Sequence, residues 1–367
     1  MKRKLQSTLA LILTLAMVFA LSACGGSGSA PAKEPSEKTP STDDAGSGNG
    51  GESGDASSDP VVMLSFGSTS AAEDLITQAM NRVAETCKEK SGGSIQITVY
   101  PASQLGDATA QLESLSSGGQ DMFIESEASY MQTYGIADAG VCSFGVCNTQ
   151  EKLAKLTESE LWAEWEQQFL DTTGIATVSN NWIRQMTVIC SKKPLRTVDD
   201  FKGVKIRTVS SETTIAVYNA LGFSSTPISF SEVYLSLQQG VVDATFGTQD
   251  NVYTNSFYEQ APYILQWGPS CTNLGVWINN NKFQSMTESQ RQILTEACDE
   301  AGKWYTDSAN EQTQGYVEDM ISKGSELVYL SEEDEAFANN TLVELARSYE
   351  GSKFSEGLVD RLLAELG

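Results

Sequence analysis

From residue 61 onward, apolar and polar residues alternate with two periods, two and about 3.6, and each change of period marks a new element. Residues 61–66 form a short apolar run that stops at Gly67, which reads as a strand. Leu75, Ile76, Ala79, Met80, Val83, Ala84 and Cys87 recur at helical spacing, one apolar stripe on an amphipathic helix that Gly92-Gly93 ends. Ile95, Ile97 and Val99 alternate as a strand closed by Pro101; a helix over 108–115 and a strand over 121–124 follow. The order β-α-β-α-β predicts a parallel sheet flanked by helices.

The pattern restarts downstream. Residues 186–190, 204–209, 226–228 and 243–246 read as strands, and 213–221 and 231–239 as helices. Thr287-Glu-Ser-Gln290 is a capping box, in which the Thr hydroxyl and the Gln side chain satisfy free amides of a first turn. It opens a periodic segment reaching residue 322, a helix of ~50 Å that is long enough to lie across two domains. Ser331-Glu-Glu-Asp334 starts another helix, and a short one ends near Leu366. The chain has 367 residues, enough for two domains at about 150 each. Two α/β halves with a bridging helix and a ligand cleft between them is the architecture these elements suggest.

The first sixty residues follow other rules. Lys2, Arg3 and Lys4 precede an apolar run over 9–21 that meets Leu21-Ser-Ala-Cys24. This order of basic, apolar and small residues is that of a secretory signal, and the run is shorter than the ~20 residues a membrane span needs. Leu-Ser-Ala-Cys resembles the bacterial lipobox, which implies removal of 1–23 and lipidation of Cys24, a surface anchor without a spanning helix. Residues 25–60 contain Gly, Ser, Pro, Asp and Glu with little that is apolar, the composition of a flexible linker.

Composition narrows the chemistry. The chain has no His, which excludes Ser-His-Asp and Cys-His catalysis, a histidine zinc site and a histidine pH switch. Residues 61–367 carry 19 basic and 41 acidic side chains, a net −22 that disfavours nucleic acid as a partner and favours a well-solvated surface. Catalysis would fall to carboxylate pairs. Glu125 and Glu127, i and i+2 in a strand, merely face one side, and no spacing supports a glycosidase; the expectation is a protein that is not an enzyme. No CxxC occurs, so neither a metal nor a cofactor is expected. Six cysteines follow Cys24: Cys87 and Cys298 belong to apolar helix faces, Cys142 and Cys147 are the pair whose spacing favours a disulfide, and Cys190 and Cys271 are left unassigned.

Bases are scarce, so each is informative. Arg184 lies in Asn180-Asn-Trp-Ile-Arg-Gln185, and Arg207 ends Lys202-Gly-Val-Lys-Ile-Arg207. A guanidinium at a strand end beside a cleft holds a carboxylate through two parallel hydrogen bonds; on an acidic protein the competing reading is a surface ion pair.

Longer stretches carry a resemblance. Tyr100-Pro-Ala-Ser-Gln-Leu-Gly-Asp107, Asp199-Asp-Phe-Lys-Gly-Val-Lys-Ile-Arg207, Ala220-Leu-Gly222, Pro227-Ile-Ser-Phe-Ser-Glu-Val-Tyr234, Leu237-Gln-Gln-Gly-Val-Val-Asp243 and Phe257-Tyr-Glu259 stand in order along the body. Together they resemble the solute-binding proteins of tripartite ATP-independent periplasmic (TRAP) transporters, DctP type, over nearly all of 61–367. The resemblance implies an α/β, two-lobe, periplasmic-binding-protein-like fold with a long lobe-spanning helix and a ligand cleft between the lobes. The lobes would be 61–181 plus 273–312 and 182–272 plus 313–367. It implies closure over one small carboxylate and its delivery to the TRAP permease subunits; the anchor by lipid outside the cytoplasmic membrane follows from the lipobox, and a monomer is the default expectation. Arg207 matches the family's carboxylate clamp, Arg184 a second arginine of sialate-like members, and Phe230 an aromatic wall. Thr69, Ser126 and Ser210 match pocket-lining places and Asp107 an acid at the cleft edge. The chain departs from the family at Ala244-Thr-Phe-Gly-Thr248, where many members have Gly-Gln-Glu-Asn-Pro, so Gly247 occupies the place of a ligand-touching Asn. It also has Ser143-Phe-Gly145 where many have Pro-Phe. A binding lipoprotein of an ABC importer or sensor, taking a sugar or amino acid, is the alternative, followed by a secreted carbohydrate-active enzyme.

Overall fold

The computed structural model describes residues 59–366. The signal, Cys24 and nearly all of the linker therefore lie outside the described residues. Eleven described strands, β1 (Val62–Ser68), β2 (Ile95–Tyr100), β3 (Met122–Ser126), β4 (Ile175–Ile183), β5 (Val188–Ser191), β6 (Lys205–Thr208), β7 (Ser224–Pro227), β8 (Ala244–Gly247), β9 (Tyr263–Leu265), β10 (Asn273–Asn279) and β11 (Glu326–Val328), build two sheets. The first has the order β2-β1-β3-β10-β4 and the second β11-β9-β5-β8-β6-β7.

The predicted β-α-β-α-β run is the start of the first sheet. Its strands β2, β1 and β3 are parallel, with Phe66 opposite both Val99 and Met122. Asp74 caps the intervening helix Leu75–Lys90 by accepting from the Ile76 amide, and the stripe Ile76, Ala79, Met80, Val83 and Cys87 is buried as the periodicity requires. Late in the chain β10 returns and inserts between β3 and β4, antiparallel to both. All seven of its residues are buried. Helices cover both faces, so β10 shows no polar alternation, which is why it does not stand out in the sequence.

Two crossings thus join the lobes, one after β4 and one before β10. They are tied to each other: the Arg184 amide donates to the Thr272 carbonyl (2.8 Å) and the Thr187 amide to the Ser270 carbonyl (3.1 Å). The third connection is the helix Glu288–Ser322, 35 residues opened by the expected Thr287–Gln290 capping box. Its first half buries Leu294, Ala297, Cys298 and Tyr305 in the first lobe's core. Farther along, Tyr316 stacks on Tyr253 at 4.4 Å, and Met320 enters the second lobe's core. The largest buried cluster runs from Trp162, Phe169 and Trp277 in the first lobe to Phe201, Tyr218 and Trp267 in the second. The chain's last helix, Leu358–Leu366, packs on the helix Gln150–Thr157 and pairs Arg361 with Glu164 (3.3 Å), although the sequence reading places it with the second lobe.

Three expectations change. The six described cysteines are all buried free thiols, Cys142 and Cys147 included. The neighbouring Cys142 thiol and burial push Cys147 well above its ordinary value, which makes its sulfur an inert core group. β3 ends at Ser126 and a helix, Glu127–Thr133, begins, so Glu125 and Glu127 do not share a strand face as expected. The helix expected from residue 231 opens as a single 3₁₀ turn, Phe230–Glu232.

Candidate functional site

Arg207 and Arg184 reach one cavity by different routes. Arg207 is third in β6, where the strand pairs with β7 in parallel and sets Arg207 opposite Thr226. Lys205 two places earlier is exposed, yet Arg207 is only 4% exposed. Its Nε donates to the Ile228 carbonyl at 2.9 Å, and its guanidinium lies 5.6 Å from the Phe230 ring centre. None of the ion pairs among the described residues uses it. Desolvation by burial lowers its pKa to about 10, because no carboxylate offsets the loss of water.

Arg184 follows β4 directly, in the first crossing. Its carbonyl accepts from Gln150 Nε2 (3.2 Å) and from the Cys271 thiol (2.9 Å), which fixes the backbone. Its Nη2 donates to Thr248 Oγ1 and Asn251 Oδ1, both at 3.2 Å, while its Nε is buried and bonds to no described residue. Burial alone would lower this guanidinium, but Tyr305 and the carboxylates of Asp250, Glu125 and Asp74 outweigh it and hold it above its ordinary value. The surface-ion-pair reading therefore fits neither arginine.

Between them lies a cavity of about 260 Å³. Ser126, Ser129 and Ser143 line it from the first lobe, Arg207, Tyr218 and Phe246 from the second, and Arg184, Thr187, Ser270 and Thr272 from the crossings. Phe230 and Gly247 also reach it. Phe230 is 42% exposed and held edge-on by Phe257 (5.6 Å), an aromatic left partly in water at the mouth. Gly247 has Asn251 over it: a Cβ there would lie 3.3 Å from the Asn251 Cβ, so the missing Asn side chain is replaced in space by an amide one helical turn along.

Three expected residues are not among those lining the cavity. Asp107 caps the helix Ala108–Ser117, accepting from the Ala110 amide at 2.9 Å. The Thr69 hydroxyl donates to Glu125 Oε2 (2.9 Å), and Ser210 is exposed just beyond β6. The reading from sequence missed Thr187, Tyr218, Phe246, Thr248 and Asn251. None of these had a legible signal, since Gly247 ends a strand and Asn251 belongs to the helix Gln249–Thr254 that follows it.

A larger groove of about 550 Å³ is lined by Val198, Leu221 and Phe337, but its Lys202 is already paired with Asp199 at 2.7 Å. Behind the first sheet, Glu127 is fully buried and accepts from Asn273 Nδ2 (2.6 Å) and Thr177 Oγ1 (3.2 Å). Burial, then the Glu166 carboxyl beside it, raises it well above the carboxylate range. Neither Glu127 nor Glu166 lines the cavity.

The chain matches the family model described as bacterial extracellular solute-binding protein, family 7 (DctP), over residues 66–352. It is similar to the sialic acid-binding periplasmic protein SiaP of Vibrio cholerae, at 25% identity over 75% of this chain and 85% of that one. It is likewise similar to the C4-dicarboxylate-binding periplasmic protein DctP of Rhodobacter capsulatus, at 27% identity over 74% and 80%. Among solved structures, a TRAP periplasmic solute-binding protein from Ochrobactrum anthropi superposes with TM-score 0.77 and 22% identity, covering 84% of this chain and 95% of that one. A sugar acid binding protein from Advenella mimigardefordensis, in complex with galactonate, gives TM-score 0.75 at 17% identity over 84% and 98%.

Proposed function

The chain belongs to the family 7 (DctP) bacterial extracellular solute-binding proteins, and we propose that it captures a small organic carboxylate outside the cytoplasm by lobe closure and delivers it to a TRAP permease. The observation that carries this reading is Arg207. A cation 4% exposed, with one hydrogen bond to a carbonyl and no ion pair among the described residues, has shed its water without a counter-charge. Such a group costs several kcal/mol unless an anion arrives, and a carboxylate meets the guanidinium through two parallel bonds. The cavity's size suits a ligand of few carbons, and its hydroxyl lining supplies neutral donors and acceptors around the charge.

In this reading Arg207 anchors the carboxylate, Arg184 holds the crossing and contributes its free Nε, Phe230 closes the mouth, and Ser126 and Gly247 complete the wall. The lobes divide at 61–181 plus 273–312 and 182–272 plus 313–367, with Leu358–Leu366 seated on the first lobe. Binding and release need no bond-making, in keeping with a chain that has no His. The protein acts as a monomer, and loss of residues 1–23 with lipidation of Cys24 tethers the body through its linker. Cys24→Ser should move it from the membrane fraction to the soluble fraction; unchanged fractionation would remove the anchor from this account.

Calorimetric titration with a panel of small mono- and dicarboxylates tests the receptor itself. An acid that binds the wild type should lose about 100-fold or more in Arg207→Ala. Affinity unaltered by that change would contradict the assignment.

A further inference from the structure

Tyr218 is the tyrosine of an otherwise phenylalanine-lined nest. Its ring stacks on Phe246 (4.7 Å, 23°) and meets Phe223 edge-on (5.7 Å), while Phe201 stacks on Phe223 in turn. Phenylalanine would fill the same space. Instead a hydroxyl is present, on a residue 1% exposed, and it bonds to no described residue. A buried hydroxyl without a partner is destabilising, so its retention calls for an occasion on which it is satisfied.

The surroundings say what that partner is. Tyr218 is among the residues lining the cavity, as is Arg207, and the charge acting on its phenol is the Arg207 guanidinium. A guanidinium has five donors and no acceptor, so Arg207 cannot take the phenolic proton. Arg207 in turn spends only Nε on the protein, leaving its terminal nitrogens for the cavity. A tyrosine donor and an arginine donor beside one cavity are met together by an oxygen anion.

We propose that Tyr218 is a ligand-contacting specificity residue, its hydroxyl donating to the same carboxylate that Arg207 clamps. This rests on the carboxylate-receptor reading and extends it from one donor residue to two. The phenol remains protonated throughout, since burial raises it well above its ordinary value. A third donor bond of fixed direction discriminates in favour of a full carboxylate and against neutral amides or alcohols of the same shape.

The test is Tyr218→Phe beside Arg207→Ala, both freed of co-purified solute by unfolding and refolding. Each is titrated with succinate, lactate, galactonate and galacturonate. Tyr218→Phe should bind the acids that the wild type binds about 10- to 100-fold more weakly, while its ligand-free Tm equals or exceeds that of the wild type. A merely structural hydroxyl would do the reverse, lowering Tm and leaving Kd within twofold, and that result overturns the inference. If Arg207→Ala abolishes binding and Tyr218→Phe does not weaken it, the inference fails and the receptor reading stands. If the wild type binds none of the four acids, the receptor reading for this ligand class fails and the inference falls with it.

Discussion

Lys205 and Arg207 stand two positions apart on one strand and meet opposite fates. The strand's pleat sends both to one side, but Lys205 sits where that side faces water, and Arg207 sits where it faces the cavity. Burial then does to Arg207 what water would have prevented: it makes the charged form less favourable and brings the pKa to about 10. A carboxylate binds the protonated guanidinium. Affinity should therefore hold steady from pH 7 to 9, where the group is charged, and fall as pH rises through about 10, where the ligand-free protein begins to lose that proton. Titrating Kd against pH checks this; affinity unchanged at the alkaline end would show that the charge is not used. The two arginines were legible in the sequence because bases are scarce on an acidic body. Ser126 was reached only through the family resemblance, and the other lining serines and threonines and Tyr218 were not legible, since nothing in a lone hydroxyl's spacing separates a cavity wall from a solvated face or a helical stripe.

At the scale of elements, the long helix shows how local signals and packing divide the work. Its start was readable to the residue, because Thr287 and Gln290 satisfy first-turn amides reciprocally whatever lies beyond. Gly302 lies within it, although glycine weakens a helix by about 1 kcal/mol relative to alanine. A Cβ at that position would run into Asn181 Oδ1 and come within 2.7 Å of Trp182 Nε1, at the end of β4. The glycine lets the helix lie directly on the strand that leads into the first crossing, and the Trp182 indole donates to the Cys298 carbonyl one turn earlier (3.1 Å). Overpacking of a tight contact costs about 1–3 kcal/mol, which outweighs the propensity gain. Gly302→Ala should therefore lower stability in a denaturant titration, and a stabilised variant would show that the contact is slack. β10 escaped the sequence reading because it is buried on both faces and advertises no solvent side. The helix Glu160–Thr173 does carry an amphipathic signal, with Leu161, Trp162, Trp165 and Phe169 buried against exposed Glu164, Gln167, Gln168 and Asp171.

At the scale of the whole molecule, three connections converge on one site. The first crossing carries Arg184, the second carries Ser270 and Thr272, and the two are bonded to each other beside the cavity. The helix Glu288–Ser322 braces them from behind, with Thr306 Oγ1 accepting from the Ile183 amide at 3.1 Å. Under the proposed carboxylate reading, walls from two lobes and a floor from their crossings make a site that ligand completes, because an anion between Arg207 and the first lobe's serines would supply contacts that neither lobe has alone. The most direct measurement of that claim is a crystal structure of the protein with the organic acid it retains on purification. The account predicts a carboxylate between the lobes with both oxygens at hydrogen-bond distance, about 2.7–2.9 Å, from the Arg207 guanidinium. A ligand that presents Arg207 with no negative charge, or that lies outside this cavity, would contradict it.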